Sequence, residues 1–170
     1  MTFTSKNDIK SLLRERILLL DGGLGTMIQG YGLGEEDFRG ERFAAWEHNL
    51  RGCNDALVLS RPDIIAEIHE KYLLAGADII STDSFNANSI SLADYGLCAY
   101  AREIAQRSAE IAREVADRFT ARNPHKPRFV AGSVGPTSKT SSIAIDVEHP
   151  EVREVTFKQL TEAYTAQIEG

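Results

Sequence analysis

Ile17-Leu18-Leu19-Leu20-Asp21-Gly22-Gly23-Leu24-Gly25-Thr26 opens the regular part of this chain. Four consecutive apolar residues predict a strand buried on both faces, the kind that parallel sheets contain. The run breaks into an acid followed by glycines. In parallel sheets the loops leaving the C-terminal strand ends converge on one crevice, where such folds hold their ligands. Asp21 therefore has two readings. It caps the following turn by accepting backbone N–H bonds, or it offers a fixed negative charge to a ligand. The residues alone leave both open.

Upstream, Asn7 or Asp8 is placed to cap a short helix whose Ile9, Leu12 and Leu13 recur at helical spacing. Downstream, residues 22–60 form a long, glycine-rich connection. A connection of that length carries function or small helices of its own, and Arg42-Phe43-Ala44-Ala45-Trp46 is predicted as one. Regular alternation follows. Pro62 suits a first helical turn, Ile64, Ile65, Ile68, Tyr72 and Leu73 form an apolar stripe, and Gly76 is placed to end the helix. Ala77-Asp78-Ile79-Ile80-Ser81-Thr82 reads as a second strand. Leu97, Ala101, Ile104, Ser108, Ile111, Val115 and Phe119 mark a second long helix, stopped by Asn123-Pro124. Arg128 to Val134 reads as a third strand, and Val155, Phe157, Leu160, Tyr164 and Ile168 as the stripe of a third helix.

The order is strand, helix, strand, helix, strand, helix, with crossovers long enough for parallel pairing. The fold class is α/β, either a barrel or a doubly wound sheet. Three βα units are fewer than half of an eight-unit barrel, which needs about 250 residues. The chain is accordingly expected to be an incomplete domain.

Composition narrows the function. The 170 residues carry a net charge of -6, and the basic residues are scattered, which argues against a nucleic-acid backbone as partner. Two cysteines, Cys53 and Cys98, are too few for a disulfide framework. With no apolar run of about 18 residues and no signal-peptide core at the start, the expectation is a cytoplasmic protein that does not enter membranes. The glycines after the first strand do not make a phosphate loop, because Tyr31 stands where the Walker pattern needs lysine. Neither the cysteines nor His48, His69, His125 and His149 show metal-ligand spacing. No residue here is assigned a catalytic or metal-binding role.

The remaining signal is repetition. The second strand exits into Ser81-Thr82-Asp83-Ser84-Phe85-Asn86 and the third into Ser133-Val134-Gly135-Pro136-Thr137. One polar strand exit is ordinary turn chemistry, whereas three in register predict a polar pocket lined from successive strands.

At these exits the chain resembles the N-terminal homocysteine-binding module of cobalamin-dependent methionine synthases, within the homocysteine S-methyltransferases. The resemblance runs through Leu20-Asp21-Gly22-Gly23-Leu24-Gly25-Thr26-Met27-Ile28-Gln29, then Arg51-Gly52-Cys53-Asn54-Asp55 and Gly76-Ala77-Asp78-Ile79-Ile80-Ser81-Thr82-Asp83-Ser84-Phe85-Asn86. It continues in Ala131-Gly132-Ser133-Val134-Gly135-Pro136-Thr137 and ends in Gln167-Ile168-Glu169-Gly170. It implies that residues 1–170 are the N-terminal portion of a (β/α)8 TIM-type barrel binding homocysteine at its C-terminal mouth. It implies a zinc ion, held by three cysteines, that keeps the substrate sulfur as a thiolate. It also implies methyl transfer from methylcobalamin, recharged by 5-methyltetrahydrofolate on other modules of the same polypeptide. Carried over by position, Asp21, Gly22, Thr82, Asn86, Ser133 and Gly135 are the substrate-binding candidates. Neither Cys53 nor Cys98 matches a zinc cysteine, so the chain by itself is expected to be inactive. A cobalamin-independent homocysteine methyltransferase and a non-catalytic binding module are the alternatives.

Overall fold

A computed structural model describes residues 8–142, 148–149 and 151–170. Helix α1 (Ile9–Glu15) starts at Asp8, whose side chain accepts from the Lys10 N–H; Asn7 lies outside the described residues. The chain then runs extended through residues 17–20 alongside β1 (Ile79–Ser81), which pairs in parallel with β2 (Phe129–Ala131). Leu20 forms a parallel bridge with Ile79, and the Leu19 carbonyl accepts from the N–H groups of Asp78 and Ile79 at 2.8 and 3.1 Å. Three parallel segments thus lie in the order first segment, β1, β2.

Helices form the other layer. α2 (Leu24–Gln29), α3 (Glu35–Arg39) and α4 (Leu57–Ser60) fall within the long connection and lead to α5 (Pro62–Ala75). α5 ends at Gly76, whose φ of +114° is a left-handed conformation that costs glycine little. α6 (Ala101–Arg122) packs against α5 and against both strands. Ile65, Ile68, Leu57 and Ile104 are fully buried between these helices, each contributing about 1.5–3 kcal/mol relative to exposure. α7 (Phe157–Glu169) begins with a reciprocal cap, in which the Gln159 N–H donates to the Thr156 hydroxyl and the Thr156 N–H to the Gln159 side chain. Among the described residues no helix is long and apolar enough to cross a membrane.

The base of the sheet is held by one acid. Asp78, with its side chain 1% exposed, accepts two bonds from the Arg16 guanidinium at 2.8 Å each and a third from the Leu19 N–H. The Lys126 ammonium lies 3.9 Å away. This acid ties the first segment to β1 before either reaches its C-terminal end.

Three expectations need correction. The first segment is not buried on both faces: Ile17 is 84%, Leu19 56% and Leu20 59% exposed. Only one of its edges is paired among the described residues, and no second layer covers it. Arg42–Trp46 is a turn rather than a helix. Phe43 is driven into the core there, packing edge-on against Trp46 and Tyr100 with ring centroids 5.6 and 5.4 Å apart, and that packing overrides the local helical spacing. In α7 the buried residues are Ala163 and Gln167, while Phe157 and Ile168 of the predicted stripe are exposed.

The uncovered first segment has a measurable consequence. Exposed apolar side chains on a strand with an unpaired edge favour self-association. Sedimentation velocity at rising concentration is expected to show association of the 170-residue chain; a sharp monomer over a hundredfold concentration range would contradict this.

Candidate functional site

At the C-terminal ends of the three parallel segments, polar side chains hydrogen-bond from one strand exit to the next. The Asp21 carboxylate accepts from the Ser81 N–H at 2.7 Å and from the Ser81 hydroxyl at 2.9 Å. One residue on, the Thr82 hydroxyl contacts the Ser84 hydroxyl at 2.7 Å and accepts from the Ser133 N–H at 2.8 Å. The Ser84 hydroxyl donates to the Ser133 carbonyl, and the Gln167 amide reaches the Ser84 carbonyl from α7. The three exits are therefore one bonded unit.

Around that unit lies a cleft of about 370 Å³, lined among others by Gly22, Gly25, Asn54, Asp55, Ser81, Thr82, Asp83, Asn86 and Ser133. Of the sequence candidates, Gly22, Thr82, Asn86 and Ser133 line it. Gly22 is held close to Tyr72, since a Cβ there would stand 3.1 Å from the tyrosine oxygen. Asp21 is not among the lining residues; its carboxylate is bonded to Ser81. Gly135 is not brought to the cleft: its N–H donates to the Phe85 carbonyl and its carbonyl accepts from the Tyr164 hydroxyl, so it fastens the third exit to its neighbours.

The electrostatics are those of a site rich in carboxyls. Burial outweighs the two Ser81 hydrogen bonds and pushes the Asp21 carboxyl up. Burial likewise raises Asp55, although its Oδ1 accepts from the Asn86 N–H at 2.7 Å. Asp83 is raised well above the usual carboxylate range by burial and by the neighbouring Asp55 charge. Asp55 and Asp83 are the acidic cleft residues that positional reasoning passed over. Both stood in the quoted motifs, and their signal was an acid within an otherwise neutral polar run.

Two other buried groups lie apart from this chemistry. His69, fully buried in α5, is held neutral by burial with its pKa lowered to about 4. Burial pushes the Cys53 thiol up to about 12, so it has no thiolate at neutral pH.

The profile of the homocysteine S-methyltransferase family matches residues 18–170 of this chain. The chain belongs to that family. Solved structures point the same way. The metallated form of the homocysteine methyltransferase MmuM from Escherichia coli is 26% identical, with a TM-score of 0.66 over 95% of this chain and 52% of that one. The oxidised form of MmuM is 31% identical, with a TM-score of 0.58 over 75% of this chain and 40% of that one. This family member thus spans about half the length of the structures it matches.

A three-cysteine zinc site does not fit the described residues of this homocysteine S-methyltransferase chain. Cys53 is buried and protonated, Cys98 is exposed, and no group of three His, Cys, Asp or Glu side chains is placed to hold a metal.

Proposed function

We propose that this chain forms the substrate-binding wall of a methionine synthase, in which the homocysteine sulfur takes a methyl group from methylcobalamin. Family membership supports methyl transfer to homocysteine. The observation that carries the site is the bonded unit Asp21–Ser81–Thr82–Ser133, which fixes three strand exits around one polar cleft. The parallel order of the three segments is consistent with the first portion of a (β/α)8 barrel, whose ligands enter at this strand end.

In this reading the chain's own residues bind and orient. Gly22 and the backbone beside it allow the amino acid to lie close to the main chain. The Asn86 side-chain amide and the Ser133 hydroxyl are offered to its polar end, the Thr82 hydroxyl and the Ser133 N–H being bonded to each other, and the Asp21–Ser81 contact sets the spacing between the walls. The resemblance carried by Gly25-Thr26-Met27-Ile28-Gln29 and Val134-Gly135-Pro136-Thr137 favours cobalamin over a sulfonium or betaine donor. The zinc ligands and the sites for cobalamin and 5-methyltetrahydrofolate are then supplied by other parts of the protein, which works in the cytoplasm. No catalytic step is assigned to a residue of this chain.

The discriminating experiment offers homocysteine with methylcobalamin, S-methylmethionine or betaine to the full protein bearing this segment, and follows methionine by mass spectrometry. Methionine formed from methylcobalamin and not from the onium donors is expected. Turnover with an onium donor alone would replace the cobalamin reading by the cobalamin-independent one. The 170-residue chain by itself is expected to yield no methionine and to retain no stoichiometric zinc after dialysis. Stoichiometric zinc with tight homocysteine binding would contradict that.

A further inference from the structure

We infer that Tyr72 of α5 is the positioning residue of the first strand exit, holding Gly22 and Gly23 in the conformation that admits the amino-acid substrate. The inference rests on the homocysteine reading above and adds to it a residue outside the cleft lining.

Backbone conformation does not call for glycine at position 22. Its φ is not left-handed, unlike that of Gly32, Gly40, Gly52, Gly76 and Gly96. Space calls for it instead. A Cβ on Gly22 would stand 3.1 Å from the Tyr72 hydroxyl oxygen, 3.2 Å from its Cε1 and 3.4 Å from its Cζ. All three atoms belong to one side chain, and carbon atoms in contact prefer about 3.5–4.0 Å. Gly23 differs, since a Cβ there would meet only Thr26, at 3.4 Å or more.

The same side chain bonds to the next residue. Its hydroxyl donates to the Gly23 carbonyl at 3.2 Å. That carbonyl also accepts from the Met27 N–H at 3.3 Å, the first bond of α2. Tyr72 thus fixes the peptide at which the strand exit turns into α2. Burial first, and the Asp21 charge second, raise the phenol above its ordinary value. The hydroxyl therefore stays protonated, and a donor, at neutral pH.

The support behind Tyr72 is the helical core. It shares α5 with Ile64, Ile65 and Ile68, each 3% exposed or less, and packs against the cluster they form. The first exit is consequently gripped from two sides. Ser81 of β1 holds the Asp21 carboxylate, and Tyr72 of α5 holds the two glycines that follow. Gly22 lines the cleft whereas Tyr72 does not, so the tyrosine acts on the substrate through the backbone it positions. Both glycines are exposed. Without that hold they sample conformations that do not fit the ligand.

The test uses the full protein bearing this segment. Homocysteine affinity is read by ligand-observed NMR titration, and KM and kcat by methionine formation with the donor that supports turnover. Y72F keeps the ring and removes the hydroxyl. It is expected to weaken homocysteine binding by about threefold to tenfold, the scale of one hydrogen bond. KM is expected to rise alike, with a smaller change in kcat. G22A is expected to weaken binding in wild type and to add less in the Y72F background, where the nearest atom is gone. Melting midpoints report the fold of each variant. Y72F matching wild type in affinity and KM would overturn the assignment. So would a fall in kcat with KM unchanged, the mark of a smaller folded fraction, or G22A and Y72F effects that multiply in full. Wild type that binds no homocysteine would overturn the homocysteine reading itself, and the assignment with it.

Discussion

Replacing Asp78 with alanine is expected to cost about 2–3 kcal/mol, a large share of the 5–15 kcal/mol that stabilises an ordinary domain. The substitution removes two of the three acceptors of the Arg16 guanidinium, leaving the Ile17 carbonyl, and removes the acceptor of the Leu19 N–H at the base of the sheet. Arg16 is 38% exposed and can turn to water, so the loss falls below that of a fully buried pair. The Leu19 N–H loses its acceptor, and the first segment loses a tie to β1. Urea unfolding followed by circular dichroism reads the midpoint directly. An unchanged midpoint would show that the first segment is held without this hub.

The same acid gives a pH dependence of known sign. The Arg16 guanidinium holds the Asp78 carboxyl below its ordinary value. A carboxyl lowered on folding stabilises the fold above its unfolded pKa, about 4. That contribution is lost as pH falls through the lower folded value. Wild type is therefore expected to lose stability below about pH 4, and the alanine variant to show a flatter profile there.

Asp21→Ala is expected to give the largest loss of substrate binding. It leaves the Ser81 N–H and hydroxyl without their acceptor, which costs about 1–2 kcal/mol in stability. The greater consequence is geometric, because the first wall of the cleft loses its side-chain tie to the second. Homocysteine binding is expected to weaken by about tenfold to a hundredfold, since misplaced walls affect every ligand. Homocysteine binding unchanged in the variant would contradict this. Here the pH sign is opposite to that of Asp78. Burial raises the Asp21 carboxyl, so its ionised form costs stability above the unfolded pKa, and that cost is relieved as pH falls through the raised value. The bonds to Ser81 weaken over the same fall, since they are strongest to the carboxylate.

The helical layer was readable because its signals are local. Pro62, the Ile64–Leu73 stripe and Gly76 bracket α5, and the predicted stripe falls inside α6 from Ala101 to Phe119, its first member Leu97 lying before the helix. Parallel pairing followed from crossover length alone. What could not be read depends on partners remote in sequence. Ile17–Leu20 has the composition of a two-faced buried strand, yet its exposure depends on what covers it, which the segment itself does not encode. Phe43 was assigned to a helix because its spacing permits one, while its ring is held by Tyr100, far along the chain. At the site, the polar exits were legible as a group. That the Asp21 carboxylate is already engaged was not, because it turns on the Ser81 hydroxyl facing it from the next strand.

The claim on which the rest depends is that three strand exits form one ligand-binding unit. Hydrogen–deuterium exchange mass spectrometry, at low micromolar chain with and without saturating homocysteine, tests it most directly. Protection appearing together in the peptides spanning Asp21–Thr26, Ser81–Asn86 and Ala131–Gly135 is the predicted result. Protection of one exit alone, or protection confined to the separate cleft at Gln29, Leu33 and Arg51, would contradict it.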